Sequence, residues 1–400
     1  MSKVLNRARA ERVLRGAGVD VLVGTTSNNV TYLSGYQPFG QRFLPTTQVY
    51  AVVAADALNR ATVVAPIADA DMAAQFPTPE AQMRWYGRFF VEAPASEESE
   101  RNLSDELQRF VRFNATQPAS SALDELLDAL RAYPSNARIA VDERGIAPAN
   151  YAALREALGV RVTPGADLLD RIRMVKTPEE IRHLQRAVEV IEASYLAALE
   201  AAHEGMTEIE MAMVFDTTTV RLGCAPVFTV IAFGARSAFP NAVPSAARLH
   251  PGDIIRFDIG CRTEGYNSDI SRTAVFGQPS PKQRAYYQAI LDGEEAGLAA
   301  MRPGARACDI FATAVDATRK GGIAHYRRQH VGHGIGLDVY DHPVLNESVE
   351  AALEPGMVFE VETPYYEIGF GGIQVEDTAV ITDSGYELLT RTPRTLRVVS

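Results

Sequence analysis

The sequence predicts an α+β protein of two units: a smaller α/β unit, then a larger one in which helix pairs alternate with β-hairpins. Three observations predict it. The chain has 400 residues, more than one hydrophobic core usually organises. Apolar, β-rich runs alternate with helical stretches over residues 1–170. Capped amphipathic helices then mark out residues 171–400.

In the first unit, Arg9 to Gly16 reads as a helix closed by Gly16 and Gly18, and Val19 to Val23 as a buried strand. Val49 to Ala54, Ala61 to Ala65 and Arg138 to Val141 are further strand candidates, and Asn150 to Leu158 is helical. No catalytic motif stands out here, and all seven histidines lie in the second unit. That unit opens on Thr177-Pro178 with Glu180, an N-cap, a first-turn proline and a capping box. Ile181, Leu184, Val188, Ile191, Tyr195 and Leu199 then recur at helical steps, and Thr207 with Glu210 starts a second helix. The plan recurs from Ser280-Pro281 to Met301 and from Asp309 to Lys320, a weak internal duplication of helix pair and hairpin.

Composition narrows the function. A hydrophobic fraction of 46% with 22% charged residues is that of a globular protein. A formal charge of -11 argues against nucleic acid or an anionic membrane surface as partner. No apolar run reaches the roughly 18 residues of a membrane span, and the charged N-terminal stretch has no signal-peptide core. Cys224, Cys261 and Cys308 form no disulfide or zinc-finger pattern. A cytoplasmic protein is expected.

The chemistry sits in two strand regions. In "DIIRFDIGCRTEGYNSDISRTAVF", Arg256, Asp258 and Gly260 share one strand face, and Asp269 lies on the returning strand. The eleven-residue interval lets a hairpin bring the two aspartates opposite each other. In "GMVFEVETPYY", Val358, Glu360 and Glu362 share a face; in "GGIQVEDTAVIT", Gln374 and Glu376 do. Carboxylates in apolar strands need a cation or donors. Between the hairpins, glycines surround His333 in "HVGHGIGLDVYDHP". Four carboxylates and an imidazole suit two divalent metals, which activate a water and polarise a scissile carbonyl.

The order Asp, Asp, His, Glu, Glu, in the settings "FDIG", "SDISRT", "GHGIGL", "MVFEVETP" and "VEDTAVIT", resembles the pita-bread metallopeptidases: prolidase, aminopeptidase P, methionine aminopeptidase and creatinase. The likeness spans residues 171–400, and the first half is similar to the creatinase-type N-terminal domain. It implies a C-terminal pita-bread domain and two divalent metal ions, manganese first, zinc or cobalt otherwise. Asp258 and Asp269 would hold one metal and His333 and Glu362 the other, with Asp269 and Glu376 bridging. Glu362 would serve as general base, with His330 and Tyr366 as further catalytic candidates.

The departures fall on substrate handling. Family histidines are replaced by Asn241, Tyr340 (with His342 two further on) and Gln329 (with His330 adjacent). The arginine two before the last glutamate is Gln374, while the tyrosine that pairs with it is kept as Tyr366. Asn241, Tyr340, His342 and Gln374 are therefore the substrate-binding candidates. The expected activity is cleavage of the Xaa-Pro bond of short peptides, by a homodimer. The alternatives are a creatinase-like hydrolase of a small non-peptide amide and a non-enzymatic interaction module.

Overall fold

The computed structural model describes residues 4–92 and 94–400. The chain divides into two compact units, one ending at Arg173 and one beginning at Met174. In the first, a six-stranded sheet runs in spatial order Ala81–Tyr86, Ala61–Pro66, Tyr50–Ala54, Val21–Gly24, Ile139–Val141, Val162–Pro164. The inner pairs between Val21–Gly24, Tyr50–Ala54 and Ala61–Pro66 are antiparallel, and the outer ones are parallel. Val21, Val52, Val64, Ile139 and Val141 form its core with Leu126 and Leu130 of the helix Ala122–Arg131. That helix, the helix Asp105–Asn114 and the strand Ala81–Tyr86 add to what the sequence pattern delimits.

The second unit is built on a nine-stranded sheet. Its main path runs Asp341–Val344, Gly332–Gly334, Val358–Glu362, Glu376–Ile381, Tyr266–Phe276, Ile254–Thr263, Ala225–Phe233. Both threonine capping boxes form: Glu180 N donates to Thr177 Oγ1 at 3.2 Å while Thr177 N donates to Glu180 Oε2 at 2.7 Å, and Thr207 pairs with Glu210 likewise. They start the helices Pro178–Glu200 and Glu208–Arg221. Ile191, Tyr195 and Phe215 from this pair bury Phe257, Ile259 and Ile270 of the sheet. The second pair, Pro281–Ala300 and Ala307–Lys320, buries Phe359, Val361 and Val375 through Ile290, Leu298 and Ile310. Each helix pair thus covers half of one sheet face. Strand alternation then sends Asp258, Glu360, Glu362 and Glu376 to the other face.

The strands Ile254–Thr263 and Tyr266–Phe276 are joined by a two-residue turn, in which Glu264 (φ 49°) and Gly265 (φ 86°) both take left-handed backbone. This turn sets the register. Asp258 faces Ser271, and Asp269 faces Gly260. The two aspartates are therefore diagonal neighbours, not the opposed pair that their spacing suggests. Among the described residues, no helix is long and apolar enough to cross a membrane.

Candidate metal centre

Side chains on the face turned away from the helices line up in rows across the strands. Asp258, Ser271, Glu376 and Glu362 occupy successive register positions on four strands. In the next row, Asp269 lies opposite Gly260, and Glu360 lies between Thr378 and His333. Rigid strands therefore carry all five predicted ligands.

Asp269, His333 and Glu376 each offer a ligand atom, all within 4.8 Å of one another. His333 Nδ1 lies 2.9 Å from the Gly334 carbonyl, so it carries the proton and leaves the Nε2 lone pair facing Asp269 Oδ2 at 3.9 Å. Ser271 Oγ donates to Glu376 Oε2 at 2.8 Å, and Gln374 Nε2 donates to Glu362 Oε2 at 3.2 Å. Asp258 Oδ2 accepts from Arg256 at 3.2 Å. Asp269 Oδ1 is buried with no hydrogen-bond partner.

The electrostatics follow from this crowding. Burial, then the neighbouring carboxylates beginning with Asp258, hold the Asp269 carboxyl well above its usual range. Burial and the Asp269 charge do the same to Glu376. Burial pushes Glu362 up to about 7, with Arg328 opposing the rise. Burial also lowers His333 to about 4, so its imidazole is neutral and free to ligate. A cluster of buried acids with one orphaned oxygen and a neutral imidazole is what a divalent cation satisfies.

The substrate candidates are dispersed. The Tyr340 ring stacks on His333 at 3.7 Å although 58% of the residue is exposed. His330 Nδ1 lies 3.3 Å from Glu362 Oε1, and burial lowers that histidine to about 4. Tyr366 and Gln374 meet, the phenol donating to Gln374 Oε1 at 3.1 Å. Asn241 and His342 are exposed, Asn241 in the segment after the short helix Gly234–Ala238 and His342 on the strand Asp341–Val344.

Three further residues at the cluster do not stand out in the sequence. Arg256 is fully buried beside Asp258, and its place on the Asp258 face is the only signal for it. Arg328 NH2 lies 3.8 Å from Glu362 Oε1, its guanidinium is 5.9 Å from the Tyr366 ring centre, and its Nε is buried without a partner. Glu360 is a fifth carboxyl, fully buried, held by Thr378 Oγ1 at 2.9 Å and raised by burial. Its alternation with Glu362 in "FEVE" is the signal for it.

Known proteins share this chain's sequence pattern and fold. The metallopeptidase family M24 pattern matches residues 182–383, and the Creatinase/Prolidase N-terminal domain pattern matches residues 7–175. The chain belongs to metallopeptidase family M24. It is 36% identical over 232 residues to an Xaa-Pro dipeptidase of Pyrococcus furiosus, covering 58% of this chain and 67% of that one. A solved prolidase from Pyrococcus furiosus superposes with a TM-score of 0.73 at 26% identity, over 96% of this chain and 99% of that chain. An Xaa-Pro dipeptidase structure from Bacillus anthracis, at 24% identity, shares the fold with a TM-score of 0.79 over 98% and 100% of the two chains. The chain thus comprises a creatinase-type N-terminal domain followed in sequence by a pita-bread domain, and the protein is an enzyme of the metallopeptidase class. Family membership implies divalent metal ions, and the cluster around Asp269 fits them.

Proposed function

We propose that this metallopeptidase cleaves the Xaa-Pro bond of dipeptides with two divalent metals, manganese first and zinc or cobalt as substitutes. The observation that carries the metal reading is the buried, unpartnered Asp269 Oδ1 between Glu376 and His333. Asp258, Asp269, His333, Glu362 and Glu376 would hold the ions, whose chemistry is to polarise the scissile carbonyl and acidify a water. The chain's own groups do the rest. Glu362 is anchored by Gln374 at one oxygen and faces His330 and Arg328 with the other, so it is placed to take a proton and pass it on. Tyr340 caps His333 and shields its face from water.

Arg328 supplies a cation for the substrate. Its unpartnered Nε and its distance from Glu362 leave donors for the carboxylate end of a dipeptide. The Tyr366 ring lies beside it, and His330 faces the same Glu362 oxygen. The names of the relatives, Xaa-Pro dipeptidases, support proline as second residue. The homodimer is supported by exposed Ile209, Met213 and Val220 along the helix Glu208–Arg221, and sedimentation velocity reads it directly. Three unpaired cysteines suit the reducing cytoplasm.

A second reading, a hydrolase of a small non-peptide amide, is favoured by neutral Gln374 and by Asn241 and His342 standing exposed. A panel of Xaa-Pro dipeptides, longer Xaa-Pro peptides and small amides separates the two on manganese-loaded protein. Ala-Pro or Met-Pro cleavage is expected, with Arg328→Met raising KM about tenfold or more, the weight of one charge-assisted contact. Amide turnover with no dipeptide cleaved under manganese, cobalt or zinc replaces the first reading with the second.

A further inference from the structure

Arg256 has an unusual status: a guanidinium with no exposed surface on the strand that carries Asp258. Its five N–H donors are all used. Nε donates to Ser237 O at 3.0 Å, and NH2 donates to Phe239 O at 2.6 Å and Pro240 O at 2.9 Å. NH1 donates to Asp258 Oδ2 at 3.2 Å and Gln374 Oε1 at 2.9 Å. The three carbonyls fix the fork, and its remaining donors point at the centre.

The Gln374 amide is oriented as a result. Its oxygen receives both Arg256 NH1 and the Tyr366 hydroxyl, so its NH2 must turn to Glu362 Oε2. The same guanidinium lies 5.2 Å from the centre of the Tyr366 ring. One cation therefore braces two acids on different strands, Asp258 directly and Glu362 through the amide. We infer that Arg256 is a positioning residue of the metal centre, doing from Asp258's own strand what a basic side chain at position 374 would do. This rests on the metal-centre reading above. Nothing in it depends on which peptide or amide is cleaved.

The test is a manganese titration of demetallated protein by calorimetry, with thermal unfolding in parallel. Loss of a group that orients metal ligands weakens metal binding about 10- to 100-fold. Arg256→Leu is expected to do so, and the exchange variant Arg256→Leu/Gln374→Arg to recover most of the loss. Gln374→Arg alone, placing two guanidinium groups at one spot, is expected to weaken manganese binding and lower Tm. If Arg256→Leu does not fold, the exchange variant decides: recovery of folded protein that binds manganese upholds the inference, and failure to recover either overturns it. A folded Arg256→Leu that binds manganese like the parent also overturns it, as does a Gln374→Arg protein with undiminished binding. Dipeptide cleavage enters none of these readouts, so failure of the peptidase reading is seen separately.

Discussion

Asp142 in the first unit and Asp269 in the second are both buried aspartates, and they are treated oppositely. Asp142 has no exposed surface, and donors surround it: Asn29 Nδ2 at 2.6 Å, Thr26 N at 3.4 Å, and Arg144 Nε and N at 3.2 and 3.3 Å. Asp269 has an oxygen with no donor and faces other carboxyls. The first arrangement satisfies a buried charge within the fold, as structural carboxylates do. The second stores repulsion that a cation relieves, which is how a binding site differs from a scaffold.

Substitution should separate the two. The largest effect expected is on turnover: Asp269→Asn and Glu376→Gln each lower kcat by several orders of magnitude with the fold intact by circular dichroism. Near-normal rates in metal-loaded variants would remove these residues from the centre. Next in size, Asp142→Ala should cost about 1–3 kcal/mol in urea melts, because donors from two segments lose their acceptor. A neutral result would make Asp142 no different from a surface residue. Smaller and opposite in sign, Asp269→Asn should stabilise the demetallated protein at neutral pH, since no carboxyl there is then kept from ionising by burial and neighbouring acids; a lower Tm than the demetallated parent would refute the stored repulsion.

Glu180 is the intermediate case. It has donors, Thr177 N at 2.7 Å and Tyr266 OH at 3.0 Å, yet burial pushes it up to about 7 from 4.5. Its proton is bound more tightly in the folded state. The stability it contributes is therefore present below pH 4.5 and lost as pH rises through 7. The Tm difference between Glu180→Gln and the parent should accordingly shift in the variant's favour from pH 5 to pH 8. A constant difference, or the reverse slope, would show that the hydrogen bonds outweigh burial.

The same contrast explains what the sequence could disclose. Carboxylates at alternate positions of apolar runs are conspicuous, so Asp258, Glu362 and Glu376 declare their common face by strand alternation alone. Capping boxes at Thr177 and Thr207 declare helix starts because the signal is local. Register is not local: the Glu264-Gly265 turn, not the eleven-residue interval, decides that the aspartates sit diagonally. The strand Ala225–Phe233 leaves no clean pattern, because its burial alternates irregularly and its pairing slips between Pro226 and Phe228. Arg256 and Arg328 are inconspicuous as site residues, since a long basic side chain usually reaches solvent. Only tertiary packing decides where these two end.

That the acids around Asp269 hold the metals for Xaa-Pro cleavage is the proposal on which the rest depends. Its most direct test measures Ala-Pro hydrolysis and metal content together, before chelation, after it, and after manganese is returned. Activity should vanish with the metal and return with it, alongside a rise in Tm of the reloaded protein. Undiminished hydrolysis by protein shown to hold no metal would contradict the claim.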